Sequence, residues 1–229
     1  MEFSLAITNY NRDDMLFQSF TNMLQDERIS EVVIVDDDSK EEIYNKVAKF
    51  CEGIPKVVLY RNHINLGMSR NKRKAISLCK NMMAAIWDSD NEMNGGYFDA
   101  ICNIPMMDKM IYMPSFAKPS FDYRQFSDMI IDSHNVKEVL KVDMGRCLMN
   151  TANYVVPRDR YLEVYEHNPE MKGTDTIWFN YLWLKAGFKF YVVPGMEYFH
   201  RQHAGSGFLE DIEYNMKQAS IIENKIKLL

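Results

Sequence analysis

EVVIVDDDS, residues 31–39, decides how the chain is read: a β-branched run, the clearest strand in the sequence, stops at three consecutive carboxylates. Downstream, Ser39 and Glu42 have capping-box spacing, and Ile43, Val47 and Phe50 continue as a helical stripe. KVVLY, residues 56–60, is the next strand. Upstream, FSLAIT (3–8) is a buried strand, and Asp13 is placed to cap a helix that carries Leu16, Phe20, Met23 and Leu24 on one face. The polar loop RNHINLG then leads to a helix near 69–80, and MAAIW (83–87) is a fourth strand ending in Asp88 and Asp90.

Strands alternating with helices predict an open, mostly parallel α/β sheet, because each right-handed crossover lays the next strand parallel to the last. Ligands of such sheets bind beyond the carboxyl ends of the strands. Here every strand ends in polar residues: Thr8-Asn9-Tyr10-Asn11-Arg12, Asp36-Asp37-Asp38, Arg61-Asn62 and Asp88-Ser89-Asp90. Four polar loops are expected to meet on one edge.

Beyond residue 100 the periodicity weakens. PMMDKMIYMPSFAKPSFDYRQF holds three prolines and suits an irregular segment or short antiparallel strands covering the sheet. Gly173-Thr174-Asp175 precedes a helix with Ile177, Tyr181 and Leu184 on one face, with Thr174 as its cap and Gly187 closing it. FKFYVV (188–193) is a strand, and Pro194-Gly195 is expected to turn the chain into MEYFHRQHAGSGF. Ile212, Met216, Ala219, Ile222 and Ile226 mark a C-terminal amphipathic helix.

With 229 residues, 47% hydrophobic and 26% charged, the chain is long enough for one substantial core, and one domain is expected. Cys51, Cys79, Cys102 and Cys147 lack disulfide-framework or zinc spacing, which fits a reducing, cytoplasmic location. No apolar run approaches the roughly 18–20 residues of a membrane span, so the chain is expected to be soluble, with peripheral docking on a membrane left open. A net charge of −5 argues against nucleic acid as the main partner, since that affinity rests on many Lys and Arg contacts to phosphate.

In an extended conformation Asp88 and Asp90 point to the same side. That arrangement suits Mg²⁺ or Mn²⁺, which are held by one or two carboxylates plus substrate phosphates. A receiver domain also begins with a strand and an acidic pocket. Here a whole strand and helix precede VVIVDDD, and the stretch from Asp88 to Lys118 is too short and too Pro-rich for two more βα units.

"SLAITNYNR", "EVVIVDDDS", "NLGMSRNK" and "WDSD", followed by "NTANYVVPRDRYL", "GTDTIWFNYLWLKAGFKFYVVPG" and "YFHRQHAGSG", resemble the ordered motifs of glycosyltransferase family 2 over residues 3–208. That family is the inverting GT-A group using nucleotide-diphosphate sugars. The resemblance implies a single GT-A domain over 1–229: a Rossmann-like nucleotide half to about residue 95, a smaller mixed acceptor-side half over about 96–208, and a C-terminal helix. It implies that Thr8, Asn9, Tyr10 and Arg12 line the nucleotide, and that Asp37 accepts from the uracil N–H. Asn65, Gly67, Arg70 and Asn71 approach ribose, diphosphate or sugar, alongside Asp88 and Ser89. Asp90 binds Mn²⁺ or Mg²⁺ directly, Asp88 contacts ribose or metal, and His200, with His203 as the alternative, supplies a further ligand. Asp175 is the general base, and Asn150, Thr151 and Asn153 are candidates for acceptor hydroxyls.

The implied activity is metal-dependent transfer of a sugar from a UDP-sugar to a glycan or other hydroxyl acceptor, by the chain alone, as a homo-oligomer or within a larger glycosylation assembly. Two alternatives stand beside it: a binding module that kept the scaffold without turnover, and a nucleotidyltransferase. The latter wants a Gly-rich loop after the first strand, where NYNR has no glycine. The chain departs from the family pattern in Asp38, where many members carry Gly, in Thr174 before the base, and in the extra positive charge of Lys72 and Arg73.

Overall fold

The computed structural model describes residues 1–203 and 205–229. Its first half follows the expected alternation: β1 (Phe3–Asn9), α1 (Asp13–Gln25), β2 (Ile29–Asp36), α2 (Glu41–Cys51), β3 (Val57–Arg61), α3 (Met68–Leu78) and β4 (Met83–Asp88). These four strands lie in the order β3-β2-β1-β4, all parallel. Buried on both faces, β1, β2 and β4 are nearly continuous apolar runs, as parallel strands between helical layers must be.

The second half extends the same sheet. It contains β5 (Glu92–Met93), β6 (Met110–Lys118), β7 (Phe121–Asp122), β8 (Ile130–Ile131), the short helices α4 (Val136–Val139) and α5 (Gly145–Met149), and β9 (Val155–Pro157). Then come α6 (Arg158–Val164), α7 (Asp175–Lys185), β10 (Lys189–Phe199) and α8 (Ile212–Ile226). β9 joins β4 antiparallel, and the path continues β9-β6-β10-β5. One hydrophobic cluster runs through both halves, from Leu5 and Trp87 to Trp183 and Ile226.

Several expectations are corrected. The proline-rich middle segment contains a nine-residue strand, β6, inside the sheet and parallel to β10. Pro114 is accommodated because β9 meets β6 at Tyr112, and the register with β10 breaks between Val193 and Glu197. Pro194-Gly195 lies within that break, a bulge inside β10 rather than a turn ending it, with Gly195 at φ 76. The Ser39/Glu42 capping box does not form. Ser39 Oγ instead donates to Asp36, and Lys40 takes the N-cap position.

Thr174 occupies the N-cap position of α7 without a side-chain cap bond; its hydroxyl turns to Met171 Sδ. α7 is buried almost all round rather than along one stripe. α8 turns Asn215, Gln218, Ile222, Glu223 and Ile226 inward and leaves Ile212 and Met216 exposed, a face rotated from the apolar pattern. Asn215 and Glu223 are satisfied there by polar partners, the latter by Arg146. No helix among the described residues is long and apolar enough to cross a membrane.

Candidate active site at the ends of β1 and β4

β1 is the central strand of the parallel leaf, and Thr8 lies opposite Asp88 of β4 while Asn9 lies opposite Asp36 of β2. Strand order reverses here, which opens a crevice at the carboxyl ends. The three carboxylates after β2 divide. Asp36 is buried and accepts from Ser39 N–H at 2.9 Å, Ser39 Oγ at 2.6 Å and Asn9 Nδ2 at 3.1 Å, closing the turn. Asp37 accepts from Asn62 Nδ2 at 2.7 Å and from the backbone N–H groups of Leu66 at 2.8 Å and Gly67 at 2.9 Å. Asp38 is exposed, with φ 65.

Asp37 therefore fixes the loop that starts α3. Asn65 reinforces it, donating to Asp37 O at 3.0 Å. Gly67 has φ 79 and ψ 160, a region open essentially to glycine alone. Asn71 is buried and donates to Val35 O at 3.0 Å, and Arg70 Nε donates to Leu66 O at 2.7 Å. Arg70 and Tyr10 remain exposed at the rim.

β4 ends in a turn, not an extended stretch. Asn91 N–H donates to Asp88 O at 3.1 Å, and Trp87 Nε1 donates to Asn91 O at 3.0 Å. The same-side argument for Asp88 and Asp90 therefore does not hold, and the two acids meet different cations. Asp90 Oδ2 receives Arg12 Nη1 at 2.6 Å, while Arg12 Nη2 reaches Gly205 O at 2.7 Å. Asp88 Oδ1 lies 3.5 Å from Lys72 Nζ and from Thr8 Oγ1. Ser89 Oγ is buried with no partner among the described residues.

Asp175 opens α7 and is 7% exposed. Lys72 Nζ stands 3.2 Å from its Oδ2, so one buried ammonium touches acids of both halves of the chain. Burial works against the Lys72 charge, but Asp175 and Asp88 outweigh it and keep the ammonium protonated. Burial pushes the Asp175 carboxyl upward, while Lys72 and the Thr176 N–H pull it back. Lys72 lies on the α3 face that buries Ala75 and Ile76, at helical spacing from both. That spacing was the sequence signal for a cation pointing inward.

Between the two histidines, the ring that reaches Asp90 is His203, with Nε2 3.0 Å from Oδ2. His200 packs edge-on against Phe121 at 5.2 Å, and burial lowers its pKa. The acceptor candidates lie deeper than the cleft surface. Asn153 Oδ1 accepts the Asp88 N–H at 2.9 Å, Thr151 Oγ1 donates to Tyr123 OH at 2.7 Å, and Asn150 Oδ1 is buried with no partner among the described residues. In the sequence Asn62 stands out only as part of a polar strand end and Asn153 only as an acceptor candidate; in the structure they brace Asp37 and the Asp88 N–H.

Asp90 Oδ2 and His203 Nε2 lie 3.0 Å apart, and together with the Asp88 carboxylate they are donor types that suit Mn²⁺ or Mg²⁺. Among the described residues no three such groups are gathered closely enough to hold an ion, and Arg12 and Lys72 stand against the two acids.

A parallel β3-β2-β1-β4 leaf with acids at the β4 end and a mixed second half defines a GT-A type α/β fold. Residues 4–102 match the model of glycosyl transferase family 2. No curated protein matches the sequence. Among solved structures, S. aureus TarS 1–349 in complex with UDP-GlcNAc is similar at TM-score 0.72 and 13% identity, over 97% of this chain and 66% of that one. Mannosyltransferase PcManGT from Pyrobaculum calidifontis, in complex with GDP-Man and Mn²⁺, is similar at TM-score 0.65 and 13% identity, over 98% of this chain and 69% of that one. GalNAc-T7 with UDP, GalNAc and Mn²⁺ gives TM-score 0.68 and 14% identity, over 87% of this chain and 44% of that one. At such identities the likeness is one of fold. The chain spans just under two thirds of the TarS fragment.

Proposed function

We propose that the chain is a glycosyltransferase that moves a sugar from a UDP-sugar to a hydroxyl acceptor with inversion at the anomeric carbon. The observation that carries this reading is the meeting of Asp88 and Asp175 on one buried Lys72 ammonium beside the carboxyl ends of β1 and β4, although Asp175 is remote from Asp88 in sequence. In the reaction Asp175 takes the proton of the acceptor hydroxyl as its oxygen attacks the anomeric carbon from the face opposite the diphosphate. Burial, with Asp88 beside it, raises the Asp175 carboxyl above its usual value and so makes its carboxylate a stronger base, while Lys72 and the Thr176 N–H stabilise the ionised form that a base requires.

Asp90, His203 and Asp88 are the residues that would hold a divalent cation, with Arg12 moving off Asp90 to admit it. Such a cation, when bound, supplies positive charge to the departing diphosphate. Asp37 keeps the loop bearing Asn65, Gly67 and Arg70 in place beside the nucleotide. The free cysteines Cys51, Cys79, Cys102 and Cys147 support a reducing, cytoplasmic setting for the reaction. The relatives with UDP, UDP-GlcNAc or GDP-Man in their structures support a nucleotide-sugar donor.

Calorimetric titration of UDP with and without Mn²⁺ tests this reading. Affinity is expected to rise at least about tenfold with the metal, roughly 1.4 kcal/mol, and that gain is expected to vanish in Asp90→Ala. A folded wild-type chain that binds no UDP in either condition would sink the UDP reading. Metal-enhanced binding that survives Asp90→Ala would place the cation elsewhere.

A further inference from the structure

We infer that Lys72 is a positioning residue for the base, a role that rests on the transferase reading above. Its ammonium holds Asp175 in register with the donor-side acid Asp88. The side chain is 8% exposed, and Nζ lies 3.2 Å from Asp175 Oδ2, 3.5 Å from Asp88 Oδ1 and 3.5 Å from Thr176 Oγ1. Withdrawing a lysine from water is costly, and one buried pair rarely offsets the cost. Here two carboxylates from opposite halves of the chain share the same ammonium.

The mount is rigid. α3 is anchored by the buried Ala75 and Ile76, and the residue before Lys72, Asn71, is bonded to Val35 O at the end of β2. Lys72 therefore stands on the nucleotide half and reaches across to the helix that carries the base. Thr176, the next residue of that helix, bounds the ammonium on a third side. Lys72 and Asp175 also line a cavity of about 10 Å³, with Ser69, Tyr154, Tyr161 and Tyr165 around it. That is room for roughly one water-sized group next to the base.

Two carboxylates on one cation have a fixed separation. Asp175 cannot turn from the donor side without breaking the pair, and Asp88 cannot shift without pulling on the base. Lys72 does not itself exchange protons with the acceptor; it sets where Asp175 points.

A double-mutant cycle on the full chain tests the role, reading UDP release with Mn²⁺ from UDP-GlcNAc, UDP-galactose and UDP-glucose, beside UDP affinity by calorimetry. Lys72→Met and Asp175→Asn are each expected to lower kcat by about 100-fold, with UDP affinity within about fivefold of wild type. The double variant is expected to be no slower than the slower single variant, because both changes remove the same function. Lys72→Arg, which keeps the charge, is expected to retain at least about a tenth of wild-type kcat, and it carries the test should the methionine variant not fold.

Losses that multiply in the double variant, a Lys72→Met kcat within about threefold of wild type, or an arginine variant below a hundredth of wild type would each overturn the positioning role while leaving the transferase reading intact. A folded wild type that neither binds UDP nor releases it from any of the three donors would overturn the transferase reading, and the role of Lys72 with it.

Discussion

Asp36, Asp37 and Asp38 share one chemistry and serve three places: a turn, a neighbouring loop and the solvent. Nothing in DDDS separates them in advance, because the partners of Asp37 lie about thirty residues away on the α3 loop. The same limit applies to Asn153, whose amide bonds the Asp88 N–H rather than facing the cleft. Asp13 shows how local charge can be read with its sign. Its carboxyl is held below the usual range chiefly by the hydrogen bond from Lys46, at 2.9 Å. The pair therefore stabilises the fold above the unfolded pKa of about 3.9, and that contribution is lost as pH falls through the lower folded value. Asp13→Asn is expected to melt slightly below wild type at pH 7, with the gap narrowing as pH falls below about 3.9, which a pair of thermal scans would check. A gap that widens as pH falls through that range would contradict the assignment.

Most elements of the nucleotide half were legible, because strands such as EVVIV and helices with apolar stripes announce their periods. Caps were less so. Ser39 satisfies Asp36 and Asn11 instead of the end of α2, since the buried Asp36 carboxylate, three residues back at the end of β2, competes for the same hydroxyl. β6 was hidden by Pro114, which propensity places outside a sheet and which the neighbouring bulge in β10 tolerates. The face of α8 was misjudged because three of its inward residues, Asn215, Gln218 and Glu223, are polar. Close packing also gives the short helices a single point of failure. A Cβ at Gly145 would run into the backbone carbonyl of Val139. Gly145→Ala is expected to cost about 3 kcal/mol, lowering the melting temperature by roughly 6–12 °C at this chain length. Wild-type melting in that variant would show that α4 and α5 can move apart.

Across the molecule, Asn215 ties α8 to the segment just before it and to Gly173, 42 residues away. It accepts the Gly173 N–H at 3.3 Å and donates to Gly207 O at 3.3 Å and Phe208 O at 3.0 Å, linking α8 to the lead-in of α7 and to residues 207–208. Asn215→Ala leaves those backbone groups unpaired, and about 1–3 kcal/mol of stability is expected to go with them. UDP release is expected to fall as well, while a variant with lower melting temperature but wild-type kcat would separate the helix from the site. The strand order carries one more consequence, for the order of synthesis. β4 pairs with β1 on one side, but its other neighbour, β9, does not emerge from the ribosome until residues 155–157. Until then Met83–Asp88 is an open, apolar sheet edge, the kind of surface that recruits chaperones or pairs with another nascent chain.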